Sequence, residues 1–173
     1  MELDQAIRTA IEYEAGVHRT YQEAMQRASD VKARRFFEVL RDEEMSHLKY
    51  LRERLEEWTR DGKIQVAELD TAVPSREAID LSLQELRREL VPGSAPKGRH
   101  MAELDLLRQA LTAETETSNF YKEMVSTLEG DGRALFRRFV EIEEGHQAIV
   151  QAEIDSVNGL GVWFDTMELS LEG

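Results

Sequence analysis

Glu44-Met45-Ser46-His47 and Glu143-Glu144-Gly145-His146 are the two stretches from which the fold can be read. Each sets a carboxylate and an imidazole three residues apart, which on an α-helix places both on one face. In a chain this rich in Glu, one such pair alone would carry little weight. The residues upstream supply the weight. Glu14 precedes Tyr21 by seven residues, and Glu114 precedes Tyr121 by the same seven. Thirty residues separate Glu14 from Glu44, and twenty-nine separate Glu114 from Glu143. Phe37 and Leu40 precede the first pair as Phe136 and Phe139 precede the second. The halves therefore match at an offset of 99 to 100. The matched positions include every residue that a helical bundle needs to hold two metals between two lone Glu and two Glu-x-x-His pairs.

Outward from these pairs, the apolar spacing predicts four long helices, over about 3–28, 30–60, 101–128 and 132–157. The first carries Ile7, Ala10, Ile11, Glu14, Val17, Tyr21, Ala24 and Ala28 on one stripe, with Glu14 in its middle. The second carries Phe36, Phe37, Leu40, Glu44, His47, Leu51, Leu55 and Trp58, with Ser29 or Asp30 placed to cap it and Asp61-Gly62 to end it. Its short link to the first helix predicts an antiparallel pair. Residues 61–74 read as a loop. A shorter helix follows, capped by Ser75 and carrying Ile79, Leu83, Leu86 and Leu90. Val91-Pro92-Gly93-Ser94-Ala95-Pro96-Lys97-Gly98 breaks it at the seam between the halves. The third long helix presents Leu104, Leu107, Leu111, Glu114, Thr117, Tyr121, Met124 and Leu128, and Gly130-Asp131-Gly132 reads as a turn. The fourth presents Leu135, Phe136, Phe139, Glu143, His146, Val150 and Ile154, and Asn158-Gly159-Leu160-Gly161 stops it. Trp163 and Phe164 are expected to anchor the tail on the bundle or on a partner subunit. The expected architecture is all-α: one domain over 1–173, an antiparallel four-helix bundle with a long crossover that carries a short extra helix, and a C-terminal tail.

Composition narrows the function. The chain has 173 residues and a formal charge of −13, which argues against nucleic acid or an anionic membrane as partner. With no cysteine there is no disulfide and no thiolate-held metal. Met1 leads straight into a charged amphipathic segment, and no apolar run approaches the length of a membrane span. The expected location is cytoplasmic.

Four inward Glu and two inward His in a helical core call for a chemical account. One alternative is a pair of buried ion-pair networks, with each Glu accepting from a neighbouring His or Tyr. Burying four carboxylates without cations is costly, however, and two divalent ions balance their charge while the imidazoles complete the shells. Mixed oxygen and nitrogen donors suit iron or manganese, and also zinc. The candidate ligands are Glu14, Glu44, His47, Glu114, Glu143 and His146. Tyr21 and Tyr121, two turns from Glu14 and Glu114, are candidates to hydrogen-bond and orient them, and otherwise serve as core aromatics. His18 is expected in a supporting or surface role and His100 in solvent. Glu43 and Glu144 are expected to point away from the site.

The set Glu14…Tyr21…Glu44-x-x-His47 with Glu114…Tyr121…Glu143-x-x-His146 resembles the ferritin-like superfamily, specifically its rubrerythrin-type and bacterioferritin-type di-iron proteins. The resemblance covers about residues 3–157. It implies two iron ions bridged by Glu44 and Glu143. It further implies an oxidoreductase that reduces peroxide or dioxygen with electrons from an external donor protein, or alternatively a ferroxidase that stores or delivers iron. A homodimer is expected. Three features depart from the pattern. Rubrerythrins usually carry a Cys-rich rubredoxin domain, and this chain has no Cys. Thr117 stands where rubrerythrins usually add a further Glu. Ile142 stands where bacterioferritins usually have Asp, whereas Glu43 can serve at the matching place in the first half.

Overall fold

The structure, a computed structural model, describes residues 1–89 and 100–163. It contains five helices among these residues: α1 (Leu3–Arg27), α2 (Val31–Asp61), α3 (Arg76–Glu89), α4 (Met101–Thr127) and α5 (Gly130–Gly159). Leu90, the 91–98 break and Phe164 lie outside the described residues.

Local chemistry sets the helix ends. The Asp30 carboxylate accepts from the N–H groups of Lys32 and Ala33 at 2.8 and 3.3 Å, so α2 starts on a capped first turn. Gly62 takes a left-handed φ of 64° and closes it. The Ser75 hydroxyl accepts from the Ala78 N–H at 3.3 Å at the start of α3. The expected turn at Gly130-Asp131-Gly132 is not a turn. The connection is Leu128-Glu129, and α5 already begins at Gly130. Gly132 is instead a packing glycine, because a Cβ there would stand 3.0 Å from Leu3 Cδ1.

Short links make α1 and α2 one antiparallel pair and α4 and α5 another. Helix α1 lies against α4, and α3 lies on α5. The result is an all-α, antiparallel four-helix bundle of α1, α2, α4 and α5. Its core is two apolar clusters. One contains Ala6, Ile7, Leu51, Met124, Leu135 and Phe136, where α1 and α5 begin and α2 and α4 end. The other contains Ala24, Phe36, Phe37, Leu104, Leu107 and Val157, at the opposite end. The chain therefore leaves α2 at one end and must start α4 at the other. The crossover makes that return: Ile64 and Leu69 are buried in the first cluster, and Ile79 and Leu83 of α3 in the second. Trp163 packs on the bundle, with its ring 6.0 Å from both Phe36 and Phe37. No helix among the described residues is long and apolar enough to cross a membrane.

Two polar contacts in this frame departed from the apolar stripes. Leu55 and Trp58 are only half-buried, while Arg54, directly before Leu55, is buried. Arg54 donates to the Gln65 carbonyl and to Glu57 Oε1, both at 2.8 Å, which satisfies a loop carbonyl folded over the end of α2. Glu103, in the first turn of α4, is also buried. Its Oε1 accepts from the Ser29 N–H and hydroxyl at 3.1 and 2.7 Å and from the Asp30 N–H at 3.4 Å, tying the α1–α2 turn to α4. Burial acts to raise the Glu103 pKa, but these hydrogen bonds hold it below the ordinary carboxylate value.

Candidate metal centre

Between the two apolar clusters lies one polar layer. Glu14, Glu44, His47, Glu114, Glu143 and His146 all have no exposed surface. Each bundle helix contributes to it: α1 and α4 give one Glu apiece, and α2 and α5 each give a Glu and a His one turn on. His47 Nδ1 is 3.2 Å from both Glu14 Oε2 and Glu44 Oε2, and 3.8 Å from Glu143 Oε1. His146 Nδ1 is 2.9 Å from Glu44 Oε1 and 3.5 Å from Glu114 Oε1. The two imidazole rings stack with centroids 5.3 Å apart.

The six residues form two overlapping groups. Glu14, Glu44, His47 and Glu143 offer donor atoms within 4.8 Å of one another, and so do Glu44, Glu114, Glu143 and His146. Glu44 and Glu143 belong to both groups. Several ligand atoms have no hydrogen-bond partner: both oxygens of Glu143, Oε2 of Glu114 and Nε2 of His47. Buried polar atoms are normally satisfied, so a cluster of unsatisfied ones is what a cation would complete. The donor set fits a divalent metal, with carboxylate oxygens and imidazole nitrogens. No family model matches this chain, and neither does any curated protein or solved structure. The reading of the centre therefore rests on its own geometry.

Tyr21 and Tyr121 hold the lone Glu residues crosswise. Tyr21 on α1 donates to Glu114 Oε1 on α4, and Tyr121 on α4 donates to Glu14 Oε1 on α1. Both rings are wholly buried. Burial, then the charge of Glu114 for Tyr21 and of Glu14 for Tyr121, pushes both phenols above their ordinary value. They therefore remain protonated donors and leave one oxygen of each carboxylate free to turn inward.

Without a cation the layer distributes protons unevenly. Burial raises the Glu14 pKa to about 8, helped by the negative charge of Glu44 beside it. Burial also acts to raise Glu44, but its contacts with His47 and with the Glu14 proton hold it well below the ordinary value. Burial, then the charge of Glu114, raises Glu143 well above it. Burial acts to lower His47, yet Glu44 and Glu14 raise it to about 10. His146 is likewise raised, by Glu114 above all, against the effect of burial. Imidazolium and shared protons supply positive charge that a bound cation would otherwise bring.

Glu43 corrects one expectation. It does not point away. Its Oε2 lies 3.7 Å from His146 Nε2, on the outer side of the imidazole. The Thr71 hydroxyl donates to the same oxygen at 2.6 Å, and the Ala72 N–H donates to Glu43 Oε1 at 2.9 Å. Burial would raise the Glu43 pKa, but His146, Thr71 and Ala72 together lower it. The physical reason is angular. Successive helical residues stand about 100° apart, so the neighbour of an axial residue still reaches the adjacent helix. The signal was the carboxylate directly before Glu44, read with a loop able to fold back over it. Glu144 does point away, exposed and 3.1 Å from Lys122. His18 and His100 are half-buried and belong to neither group, and Thr117 is buried with its hydroxyl bonded to the Ala113 carbonyl at 3.0 Å.

Proposed function

We propose that this chain is a ferritin-like, non-haem di-iron oxidoreductase of rubrerythrin kind, reducing peroxide or dioxygen with electrons from an external donor. One observation carries the reading: two buried four-residue groups share Glu44 and Glu143, and the shared Glu143 has both oxygens unsatisfied. In this reading Glu14 and His47 would hold one ion and Glu114 and His146 the other, with Glu44 and Glu143, which belong to both groups, available to each. Two iron ions supply the redox chemistry when bound. The chain's residues fix its geometry. Tyr21 and Tyr121 orient the terminal carboxylates, Glu43 orients His146, and the apolar clusters exclude bulk water from both ends. In this reading the electrons come from a separate donor protein, since a thiolate-held iron centre needs cysteine and the sequence has none, and a second copy of the chain is the expected structural partner.

A second reading, ferrous-iron oxidation with storage or delivery, draws on two particular residues. Thr117 supplies no carboxylate where a rubrerythrin would have one, and Glu43, which can serve as the acidic residue that bacterioferritins usually have before Glu-x-x-His, lies 3.7 Å from His146.

The test begins with anaerobic Fe²⁺ titration of metal-free protein, which should saturate near two ions per chain. Saturation at one ion, or no uptake, refutes the paired centre. Peroxide consumption with an external reductant, measured against Fe²⁺ oxidation that ends in mineral, then decides between the two readings.

A further inference from the structure

An aromatic series leads from the surface to one ligand position. Tyr13, half-buried on α1, stacks on Phe120 of α4 with ring centroids 4.9 Å apart and planes 20° apart. Phe120 meets Tyr121 at 5.7 Å, and the Tyr121 hydroxyl donates to Glu14 Oε1. The residues that hold the centre recur in both halves of the chain, as Tyr21 recurs in Tyr121. Tyr13 and Phe120 do not: at the offset of 100 stand Ala113 and Thr20. Holding a carboxylate in place therefore does not require them. Tyr13 also lines a groove of about 500 Å³ between α1 and α4, beside the small residues Gly16 and Thr20. Two exposed carboxylates, Glu12 and Glu116, line the same groove.

The geometry points to Tyr13 as the port by which single electrons reach the buried centre, over Phe120 to Tyr121, from a cationic donor seated in this groove. The inference rests on the proposed function only in taking the centre to be redox-active. In each transfer Tyr121 gives one electron toward the centre, and its phenolic proton shifts along the existing hydrogen bond to Glu14 Oε1. Tyr13 passes one electron across Phe120 to the Tyr121 phenoxyl, which takes its proton back from Glu14. Tyr13 releases its own proton to water in the groove. The donor then refills Tyr13, which recovers a proton from water. The sum moves one electron from donor to centre and leaves both tyrosines unchanged. Two such transfers supply the electrons that, with two protons, reduce one hydrogen peroxide to two waters. The acidic groove favours a positively charged donor through simple attraction.

Flash photolysis of the full-length protein loaded with redox-inert Zn²⁺, which holds Glu14 ionised where the metal-free fold keeps it protonated, using tris(bipyridine)ruthenium and a sacrificial cobalt(III) acceptor, generates a cationic one-electron oxidant and runs the same route outward. The expected product is a long-lived phenoxyl absorption from shielded Tyr121, absent in Tyr121→Phe. In Tyr13→Phe, which keeps the stacked ring, its yield should fall by about tenfold, the loss of one fast step. Tyr50→Phe should leave it unchanged, although Tyr50 also leads to Tyr121 through Phe139 at 6.0 and 5.1 Å. Equal yields in the parent and Tyr13→Phe, or a loss confined to Tyr50→Phe, overturn the route. Glu12→Gln with Glu116→Gln should slow the reaction with the ruthenium cation, and added salt should erase the difference. A rate unaffected by these two changes overturns the cationic donor. None of these measurements uses iron or peroxide, so a failed peroxide assay and a failed route are separate results.

Discussion

Replacing Glu14 by Gln in the metal-free protein should raise its stability at neutral pH, although Glu14 is a proposed ligand. The ordinary carboxyl value is 4.5, and burial beside Glu44 raises that of Glu14 to about 8. At pH 7 the unfolded chain therefore ionises this group while the fold keeps it protonated. The difference disfavours folding by about 1.4 kcal/mol for each pH unit above 4.5, or about 3 kcal/mol at pH 7. The sign follows from a raised acid: the penalty is absent at and below pH 4.5, grows as pH rises, and levels off above about 8. Gln removes the titration and keeps the local bonds, since its carbonyl can accept from Tyr121 and its amide can donate to Glu44. Against the parent, the variant should gain up to about 3 kcal/mol at pH 7, worth roughly 6–12 °C in Tm for a chain of this size. At pH 4.5 the two should melt together. With excess Fe²⁺ under argon the order should reverse, because the parent gains binding energy that a neutral amide cannot match. Thermal melts with chelator at both pH values, and with Fe²⁺ at pH 7, read all three. Exposed Glu116→Gln is the control. A variant that melts below the parent in chelator at pH 7, or a gain that does not vary with pH, refutes the account and makes Glu14 part of a favourable hydrogen-bond network.

The crossed tyrosines should be equivalent. Tyr21→Phe and Tyr121→Phe should each weaken metal binding by about tenfold or more, the usual effect of losing a bond that orients a ligand, read by competition with a chelator. An effect in one variant only would refute the symmetric role. Glu103→Gln should destabilise the protein near neutral pH, because the lowered carboxyl pKa contributes stability above the ordinary value of 4.5. That advantage is lost as pH falls through the folded pKa, so denaturant melts of variant and parent should converge in acid. Met45, beside Glu44 but 47% exposed, should give no haem absorption band in purified protein, and Met45→Leu should leave the unfolding free energy within about 0.5 kcal/mol of the parent.

The four long helices and the placing of Glu14, Glu44, His47, Glu114, Glu143 and His146 on their inner faces were legible in the chain alone. Helical periodicity is a local property, and a carboxylate repeated inside an apolar stripe marks its face without knowledge of neighbours. The duplication across the halves also allowed Tyr21 and Tyr121 to be grouped with these residues. Which partner each tyrosine serves was not legible. A hydroxyl two turns from a Glu on its own helix reaches instead the Glu of the facing helix, and only the approach of α1 to α4 determines that. Glu43 escaped for the same reason: its contact with His146 depends on how α2 meets α5 and on the 71–72 loop folding over it. Arg54 and Glu103 were hidden too, since each is buried by a loop carbonyl or loop N–H groups that come from elsewhere in the chain. Residue identity and period assign a side chain to a face. Distances between faces are properties of the packed bundle, and the hydrogen bonds that tune the centre are made across them.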